Sequence, residues 1–250
     1  MSGHSKWHSI KHKKAKIDAA RGRVFTKIIK ELTVSARMGG GDPEANPRLR
    51  SALAAAKAAN MPAKNIDNAI KKGTGEMPGV VYEDMVYEGY GPGGVALYIS
   101  AVTDNKNRTV AEIRHLLSKY GGNLGESGSV AWMFDRKGLI TVPSENYAEE
   151  ELMELVLECG GEDMTTDEEY YNIYTSYEDF NQIRTLLEEK SILIEEAQIS
   201  MIPQTTVNLE GKPAEQMMKL MDILDEHDDV QNVFANFDIE DSELERILDE

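Results

Sequence analysis

The sequence predicts a mixed α+β protein: an N-terminal three-helix module with a basic arm, followed by two α+β domains of the ferredoxin-like type. Three observations lead to this fold class. Apolar residues recur at helical spacing within the first 73 residues. From residue 80 onward, β-rich runs alternate with helical ones. A helix followed by Gly-Gly occurs twice, at 120–123 and at 159–162, which indicates two related units that each fit a βαββαβ motif.

The first residues are predicted to form a flexible arm. Residues 2–16 read SGHSKWHSIKHKKAK and contain only two large apolar side chains, Trp7 and Ile10. So little apolar surface cannot offset the entropy lost when a chain becomes ordered. We therefore expect this segment to be mobile until it binds a partner.

Three short helices are predicted after the arm. Apolar residues recur at i, i+3, i+4 and i+7 from Phe25, and the glycines at 39–41 end this first helix. An Asn-Pro pair at 46–47 is typical of a helix N-terminus and begins the second helix. The third helix begins at Pro62 and ends at Gly73.

The remainder of the chain is predicted to contain strands and helices in alternation. The predicted strands are 80–87, 95–102, 129–134, 139–142, 170–175, 192–202, 205–209 and 230–237, and the predicted helices are 109–119, 148–158, 178–189, 213–226 and a short one within 240–250. Residues 136–204 supply a complete βαββαβ set, which favours three domains: 1–79, 80–135 together with 205–250, and an inserted domain at 136–204. A linear division into two successive α+β units is the alternative.

Charge is distributed very unevenly along the chain. The whole protein has a net charge of −17 and a pI near 4.8. Residues 1–73 contain 16 basic and 5 acidic residues, a local charge of +11, whereas the rest of the chain carries −28. A concentrated basic segment attracts polyanions by releasing counterions, and the acidic remainder repels them. This pattern predicts nucleic-acid binding at one end of the molecule.

Several classes of protein are disfavoured by composition. A single cysteine, Cys159, excludes an intrachain disulfide and a zinc site with several cysteines, and its place at the end of an apolar helix indicates packing. No run of about 18 apolar residues suggests a membrane span. The N-terminus has no apolar stretch typical of a secretory signal. We therefore expect a cytoplasmic protein without a membrane partner.

Two glycine patterns resemble phosphate-binding loops only formally. Gly89, Gly91 and Gly94 spell G-x-G-x-x-G, but a β-rich run follows directly where a dinucleotide site needs a helix. We interpret this stretch as a hairpin connection. The glycines at 121–128 precede a strand and lack the Gly-Lys-Ser/Thr ending of a P-loop. Neither pattern predicts a nucleotide cofactor.

Three histidines in the arm raise the question of a metal. His4, His8 and His12 recur every fourth residue and would share one face of a helix. No acidic co-ligand lies nearby, so we favour a polar, mobile arm over a metal site. The sequence also shows no nucleophile elbow or catalytic metal cluster, and we expect neither enzymatic activity nor a cofactor.

A possible second phosphate contact lies before the helix at 109–119. Thr109 and Glu112 fit a capping box, which would place Lys106 and Arg108 beside free helix N–H groups that favour anions. An ordinary capped helix with two solvated cations is the simpler interpretation, and we favour it. Both residues nevertheless remain in the candidate set.

The candidate nucleic-acid contacts combine basic side chains with one aromatic residue that could stack on a base. They are Lys6, Trp7, Lys11, Lys13, Lys14, Lys16, Arg21, Arg23, Lys27, Lys30, Lys64, Lys71, Lys72, Lys106 and Arg108.

Five stretches of the sequence resemble a known family. They are SGHSKW at 2–7 with Ile-Lys at 10–11, NMP at 60–62, YEGYGPGG at 87–94, GNLG at 122–125 and GSV at 128–130. These motifs are similar to those of the YebC/PmpR family, from the N-terminus to about residue 203 and more weakly beyond. The resemblance implies one helical and two α+β domains and a cytoplasmic, non-enzymatic regulator. Many members are described as probable DNA-binding transcriptional regulators.

The nature of the nucleic acid stays open at this point. The resemblance also covers a mitochondrial translational activator of cytochrome c oxidase and bacterial members linked to ribosomes stalled on proline-rich sequence. A long, lysine-rich arm suits crevices in ribosomal RNA, because such arms fold on binding. The family description favours duplex DNA. We therefore expect a DNA-binding transcriptional regulator, with a ribosome-associated translation factor as the alternative, and no small-molecule substrate.

Overall fold

The computed structural model of the protein describes residues 21–166 and 169–249. The predicted arm at 2–16 lies outside the described residues. With it lie the histidines at 4, 8 and 12 and the candidates Lys6, Trp7, Lys11, Lys13, Lys14 and Lys16. Within the described ranges, no helix is both long and apolar enough to cross a membrane.

Three helices form the N-terminal domain, as predicted. They are α1 (Arg21–Gly39), α2 (Pro47–Ala58) and α3 (Ala63–Thr74). Asn46 caps α2 by accepting a hydrogen bond from the Leu49 N–H at 3.1 Å, and its amide donates to the carbonyl oxygen of Ser35 at 2.8 Å. Leu32, Leu49 and several alanines and other apolar side chains form the small core. At Gly73, α3 packs against the α1 backbone so closely that a Cβ would collide with the Thr33 carbonyl.

The first sheet has the strand order β3-β1-β2-β9, and all its pairs are antiparallel. Its strands are β1 (Glu83–Tyr90), β2 (Ala96–Thr103), β3 (Asn123–Leu124) and β9 (Val230–Ala235). Helices α4 (Lys106–Lys119) and α7 (Gly211–Glu226) supply buried apolar side chains such as Ile113 and Leu220 to its core. The G-x-G-x-x-G stretch connects β1 and β2, as the hairpin interpretation predicted.

The second sheet follows β3 in the chain. Its order is β5-β6-β4-β7, with β4 (Phe134–Pro143), β5 (Asp163–Thr166), β6 (Tyr170–Thr175) and β7 (Glu196–Pro203). Helices α5 (Glu149–Glu158) and α6 (Phe180–Glu189) complete the predicted βαββαβ order and pack on the sheet. Cys159 is buried in this core.

The two sheets share one spatial layout but differ in chain order. β3, β1, β2 and β9 occupy the places that β5, β6, β4 and β7 occupy in the second sheet. In the first sheet, however, the strand equivalent to β6 is β1, which comes first in the chain. The first unit is therefore ββαβ followed, after the second sheet, by αβ. We keep 1–79, 80–135 with 205–250, and 136–204 as the proposed domains.

The prediction of a strand at 129–134 is wrong. Ala131–Met133 forms a 3-10 turn, and β4 begins only at Phe134 and includes the strand predicted at 139–142. The physical reason is the buried carboxylate of Glu88, which accepts hydrogen bonds from the N–H groups of Gly128, Val130 and Ala131 at 2.6–2.8 Å. Backbone N–H groups bound to this carboxylate cannot pair in a sheet.

The C-terminal residues add short elements. The strand predicted at 205–209 shrinks to β8 (Val207–Asn208), which pairs in parallel with β10 (Phe237–Asp238). The strand predicted at 230–237 divides into β9 and β10, because the Asn236 side chain accepts a hydrogen bond from the Ala96 N–H at 2.7 Å. Helix α8 (Asp241–Asp249) follows.

Candidate nucleic-acid interface

Helix α1 carries a row of basic side chains on one face. Arg23, Lys27 and Lys30 are spaced at i, i+4 and i+7, which places them on the same side of a helix. They face residues 225–229, which read Asp-Glu-His-Asp-Asp and which we call the acidic segment. This segment comprises the last two residues of α7 and the turn into β9.

Each cation of the row pairs with a carboxylate of the acidic segment. The nitrogen–oxygen distances are 3.0 Å for Arg23–Glu226, 3.7 Å for Lys27–Asp225 and 2.6 Å for Lys30–Asp229. Lys27 and Lys30 also donate to the carbonyl oxygens of Asp225 and Asp228. Since carbonyls at a helix C-terminus lack helical partners, Lys27 also caps the end of α7, whereas Lys30 bonds the turn that follows it. The contacts join the helical domain to the first sheet.

Asp229 is the most connected carboxylate of this contact. It is buried and accepts hydrogen bonds from Lys30 Nζ at 2.6 Å, Arg108 Nη2 at 2.8 Å and Thr109 Oγ1 at 2.7 Å. A longer bond of 3.3 Å comes from Thr103 Oγ1. Burial alone raises the pKa of a carboxyl, but the bonds from Arg108, Lys30 and Thr109 outweigh it and hold the pKa of Asp229 well below its ordinary value. The group is therefore an anion at neutral pH.

The capping box predicted at Thr109 and Glu112 is wrong. Helix α4 begins at Lys106, and the Asn105 side chain caps it by accepting from the Arg108 N–H at 3.1 Å. Thr109 lies inside the helix, where its hydroxyl donates to Asp229. Thr109 does not cap the helix because its hydroxyl bonds the carboxylate of Asp229, which lies 120 residues away in sequence. Local spacing cannot reveal such a distant partner.

The two cations predicted beside this helix both pair with carboxylates. Lys106 forms an ion pair with Glu83. Arg108 bridges Asp104 at 2.9 Å and Asp229 at 2.8 Å, and the bond that it donates to Asp229 is the largest cause of the raised pKa of its guanidinium. Any phosphate at this helix would have to compete with these groups.

The basic residues of α3 are placed differently. Lys64 and Lys72 are exposed, and within the described ranges neither forms an ion pair. Lys71 pairs with Asp67 one turn away at 2.8 Å. Arg21 lies in the first turn of α1, and its side chain is outside the description. The structure thus separates the candidates into cations on α1, α4 and α3 that pair with a carboxylate and two cations on α3, Lys64 and Lys72, that face solvent without one among the described residues.

Three basic residues of the helical domain outside the candidate set are also exposed without an ion pair among the described residues, and one of them, Arg50, donates to the carbonyl oxygens of Pro43 and Glu44. Arg37 at the end of α1 and Lys57 in α2 are exposed and form no ion pair within 21–166 and 169–249. Arg37 and Lys72 line the same groove of about 260 Å³ between α1, α3 and the linker to β1. Their proximity depends on the tight crossing of α1 and α3 at Gly73.

Arg48 is a basic residue with a joining role. Its guanidinium donates to Glu31 at 2.6 and 2.9 Å and to Asp84 at 2.6 and 2.8 Å, so it connects α2 to α1 and to β1. Bonds to Asp84 and Glu31 raise the pKa of this guanidinium. Bidentate pairs of this kind fix geometry as well as charge.

A cleft of about 850 Å³ opens above Asp229 and contains a possible metal-ligand set. Glu112, His227 and Asp229 each place a ligand atom within 4.8 Å of the others. However, His227 Nδ1 accepts the Asp229 backbone N–H at 3.1 Å, which leaves the ring proton on Nε2, facing Glu112 at 3.0 Å. Asp229 already accepts from Lys30, Arg108 and Thr109. These groups therefore already form a hydrogen-bond network, and a cation would have to displace its donors.

Comparisons with known proteins match the chain along nearly its whole length. Residues 5–76 match a family model described as the TACO1/YebC protein N-terminal domain, and residues 82–237 match one described as the TACO1/YebC second and third domain. A probable transcriptional regulatory protein of Desulforapulum autotrophicum is 57% identical over 96% of this chain and 98% of its own. One from Geobacter sulfurreducens is 56% identical over 99% of this chain and 100% of its own.

A solved structure has the same fold. The crystal structure of a conserved hypothetical protein from Aquifex aeolicus superposes with a TM-score of 0.85 at 51% identity. The match covers 93% of this chain and 96% of that protein. The arrangement of a helical domain followed by sheet-containing domains is thus shared with a relative.

Proposed function

Because the chain belongs to the TACO1/YebC family, we propose that it is a cytoplasmic, non-enzymatic regulator of transcription that binds DNA. The names of the two bacterial relatives, which match over almost their whole length, support a regulatory role. In this proposal the partner is the phosphate backbone, and the helical domain makes the contact. No cofactor, membrane or small-molecule substrate takes part.

The observation that carries the proposal is the position of the unpaired cations. Lys64 and Lys72 on α3, and Arg37 and Lys57 in the same domain, are exposed to solvent without a carboxylate partner among the described residues. The remainder of the chain is strongly acidic and repels a polyanion. Phosphates are therefore expected to approach the helical domain, and α3 offers the cations that need not first leave an ion pair.

The test is the salt dependence of DNA binding by the full-length protein. Lys64→Gln combined with Lys72→Gln should weaken binding to duplex DNA and reduce the log–log salt slope by about 1.8, since each phosphate contact contributes about 0.9. The matched control is Lys212→Gln combined with Lys219→Gln, which removes the same charge from exposed positions on α7. A slope that is flat, or that falls equally in both variants, would contradict the proposal.

The choice between DNA and ribosomal RNA needs a second measurement. Titration of the same protein with duplex DNA and with ribosomal RNA, at physiological salt, compares the two polyanions directly. Tighter binding to the DNA duplex is expected. Tighter binding to the RNA, together with co-sedimentation with ribosomes, would overturn the assignment of DNA as the partner. The proposal that the helical domain binds phosphates would still stand.

A further inference from the structure

The cation row of α1 is covered by carboxylates in a graded way. The side chains of Arg23 and Glu226 are 43% and 59% exposed, those of Lys27 and Asp225 are 16% and 27% exposed, and those of Lys30 and Asp229 are 8% and 3% exposed. The row thus runs from an open, solvated pair at the start of α1 to a buried pair about two turns further along the helix.

We propose that the outer part of this row, Arg23 and Lys27, is a second binding surface for DNA phosphates, and that the acidic segment covers it as an internal substitute for phosphate. This inference rests on the proposed function, because it concerns the same ligand. Three features support it: carboxylates are the protein groups that best match phosphate for a guanidinium or an ammonium, the segment places four of them within five residues, and Arg23 and Lys27 pair with two of them at 3.0 and 3.7 Å.

The gradient of burial determines which pairs can exchange. An exposed ion pair is weak and is screened by salt, so a polyphosphate can replace Glu226 at Arg23. The inner pair of Lys30 and Asp229 is buried and further held by Arg108 and Thr109, and opening it would leave charges without partners. The inner pair therefore keeps the two domains joined while the outer pairs open.

The central test neutralises the carboxylates that cover Arg23 and Lys27 and leaves both cations in place. We call the resulting protein the cover variant. Asp225→Asn combined with Glu226→Gln removes the two outer carboxylates, which are the last two residues of α7. Anionic side chains at a helix C-terminus oppose the helix dipole, so the variant should fold normally. Glu188→Gln combined with Glu189→Gln is the matched control, because these residues are exposed and are the last two of α6.

The expected result is a change in the number of phosphates bound. In full-length protein the cover variant should bind duplex DNA on the order of tenfold more tightly than the control variant near 100 mM salt, with a log–log salt slope steeper by about 1.8. The control variant should keep the wild-type slope. Equal slopes in the two variants, with wild-type binding intact, would overturn this inference and leave the proposed function standing.

A double-mutant cycle separates occlusion from a general effect of charge. Arg23→Gln should weaken DNA binding less than twofold in the wild type, where Glu226 already occupies the guanidinium, and about tenfold in the cover variant. An equal loss in both backgrounds would show that Glu226 does not compete with phosphate. If neither the wild type nor the cover variant binds DNA in a salt-dependent way, the proposed function fails and this inference fails with it.

Discussion

Asp229 is the residue whose loss should cost the most stability at the contact between the helical domain and the first sheet. Asp229→Asn keeps the shape of the side chain but removes the charge that faces Lys30 and Arg108. Arg108 retains its partner Asp104 at 2.9 Å and is partly exposed. Losing the Arg108–Asp229 pair should therefore lower the free energy of unfolding by less than about 1 kcal/mol. The hydroxyl of Thr109 can donate to the new amide oxygen. The main cost therefore arises at Lys30.

The magnitude follows from the surroundings of Lys30. Its ammonium is 8% exposed, and without the carboxylate it keeps one bond to the Asp228 carbonyl at 2.8 Å and the Tyr82 ring at 5.8 Å. Removing one partner of a buried ion pair costs about 3–5 kcal/mol. Because the carbonyl remains, we expect the lower end, about 3 kcal/mol, in equilibrium urea unfolding at pH 7. Lys30→Met combined with Asp229→Asn should recover part of that loss, since no uncompensated charge stays buried.

The same pair predicts a pH dependence. The pKa of Asp229 is lowered in the folded protein, so its contribution to stability is fully present above its unfolded pKa of about 3.9 and is lost as pH falls below that value. The difference in unfolding free energy between wild type and Asp229→Asn should be constant from about pH 5 to 8 and should shrink toward pH 3. A difference below about 1 kcal/mol at pH 7, or one that grows on acidification, would refute this reasoning.

Two further predictions concern packing and loop structure. Glu88→Gln should destabilise the protein by about 1–3 kcal/mol, because a side-chain amide cannot accept all three N–H bonds that the carboxylate accepts. Amide hydrogen exchange at residues 128–131 should become faster. The control Glu126→Gln, at an exposed position in the same loop, should change neither measurement. Gly73→Ala should lower stability by about 1–3 kcal/mol, since its Cβ would lie 2.8 Å from the nearest side-chain carbon on α1. Gly22→Ala, with open space around it, should not destabilise, and an equal loss in both glycine variants would contradict the packing argument.

Elements whose signals are local could be predicted from the sequence. The glycine stops, the Asn-Pro start of α2 and the alternation of strands and helices depend on neighbours within a few residues. The strand predicted at 129–134 failed because Glu88, some 40 residues earlier, binds its backbone. The capping box at Thr109 failed for the same kind of reason, through Asp229. Local patterns cannot report a buried carboxylate that arrives from a distant part of the chain.

The candidate site shows the same division between charge and pairing. Counting residues predicted a basic N-terminal segment, and α3 carries exposed lysines where that segment folds. Counting could not reveal that Lys30 is buried or that Arg108 bridges two aspartates, because these partners come from other elements. The sequence alone does not distinguish the acidic segment at 225–229 from the other acidic residues of the chain. Only its position against α1 gives it a possible role.

The ion pairs change how the local charge of +11 should be translated into phosphate contacts. A salt slope counts the cations that exchange counterions for phosphates, and a cation already neutralised by a carboxylate does not contribute. Among the described residues, the exposed cations without a carboxylate partner can contribute in the present arrangement, whereas Arg23 and Lys27 contribute only after Asp225 and Glu226 have been displaced. The slope should therefore become steeper when Asp225 and Glu226 are neutralised, even though the number of basic residues stays the same, and the size of this increase reports how far the two carboxylates cover Arg23 and Lys27 in the wild-type protein.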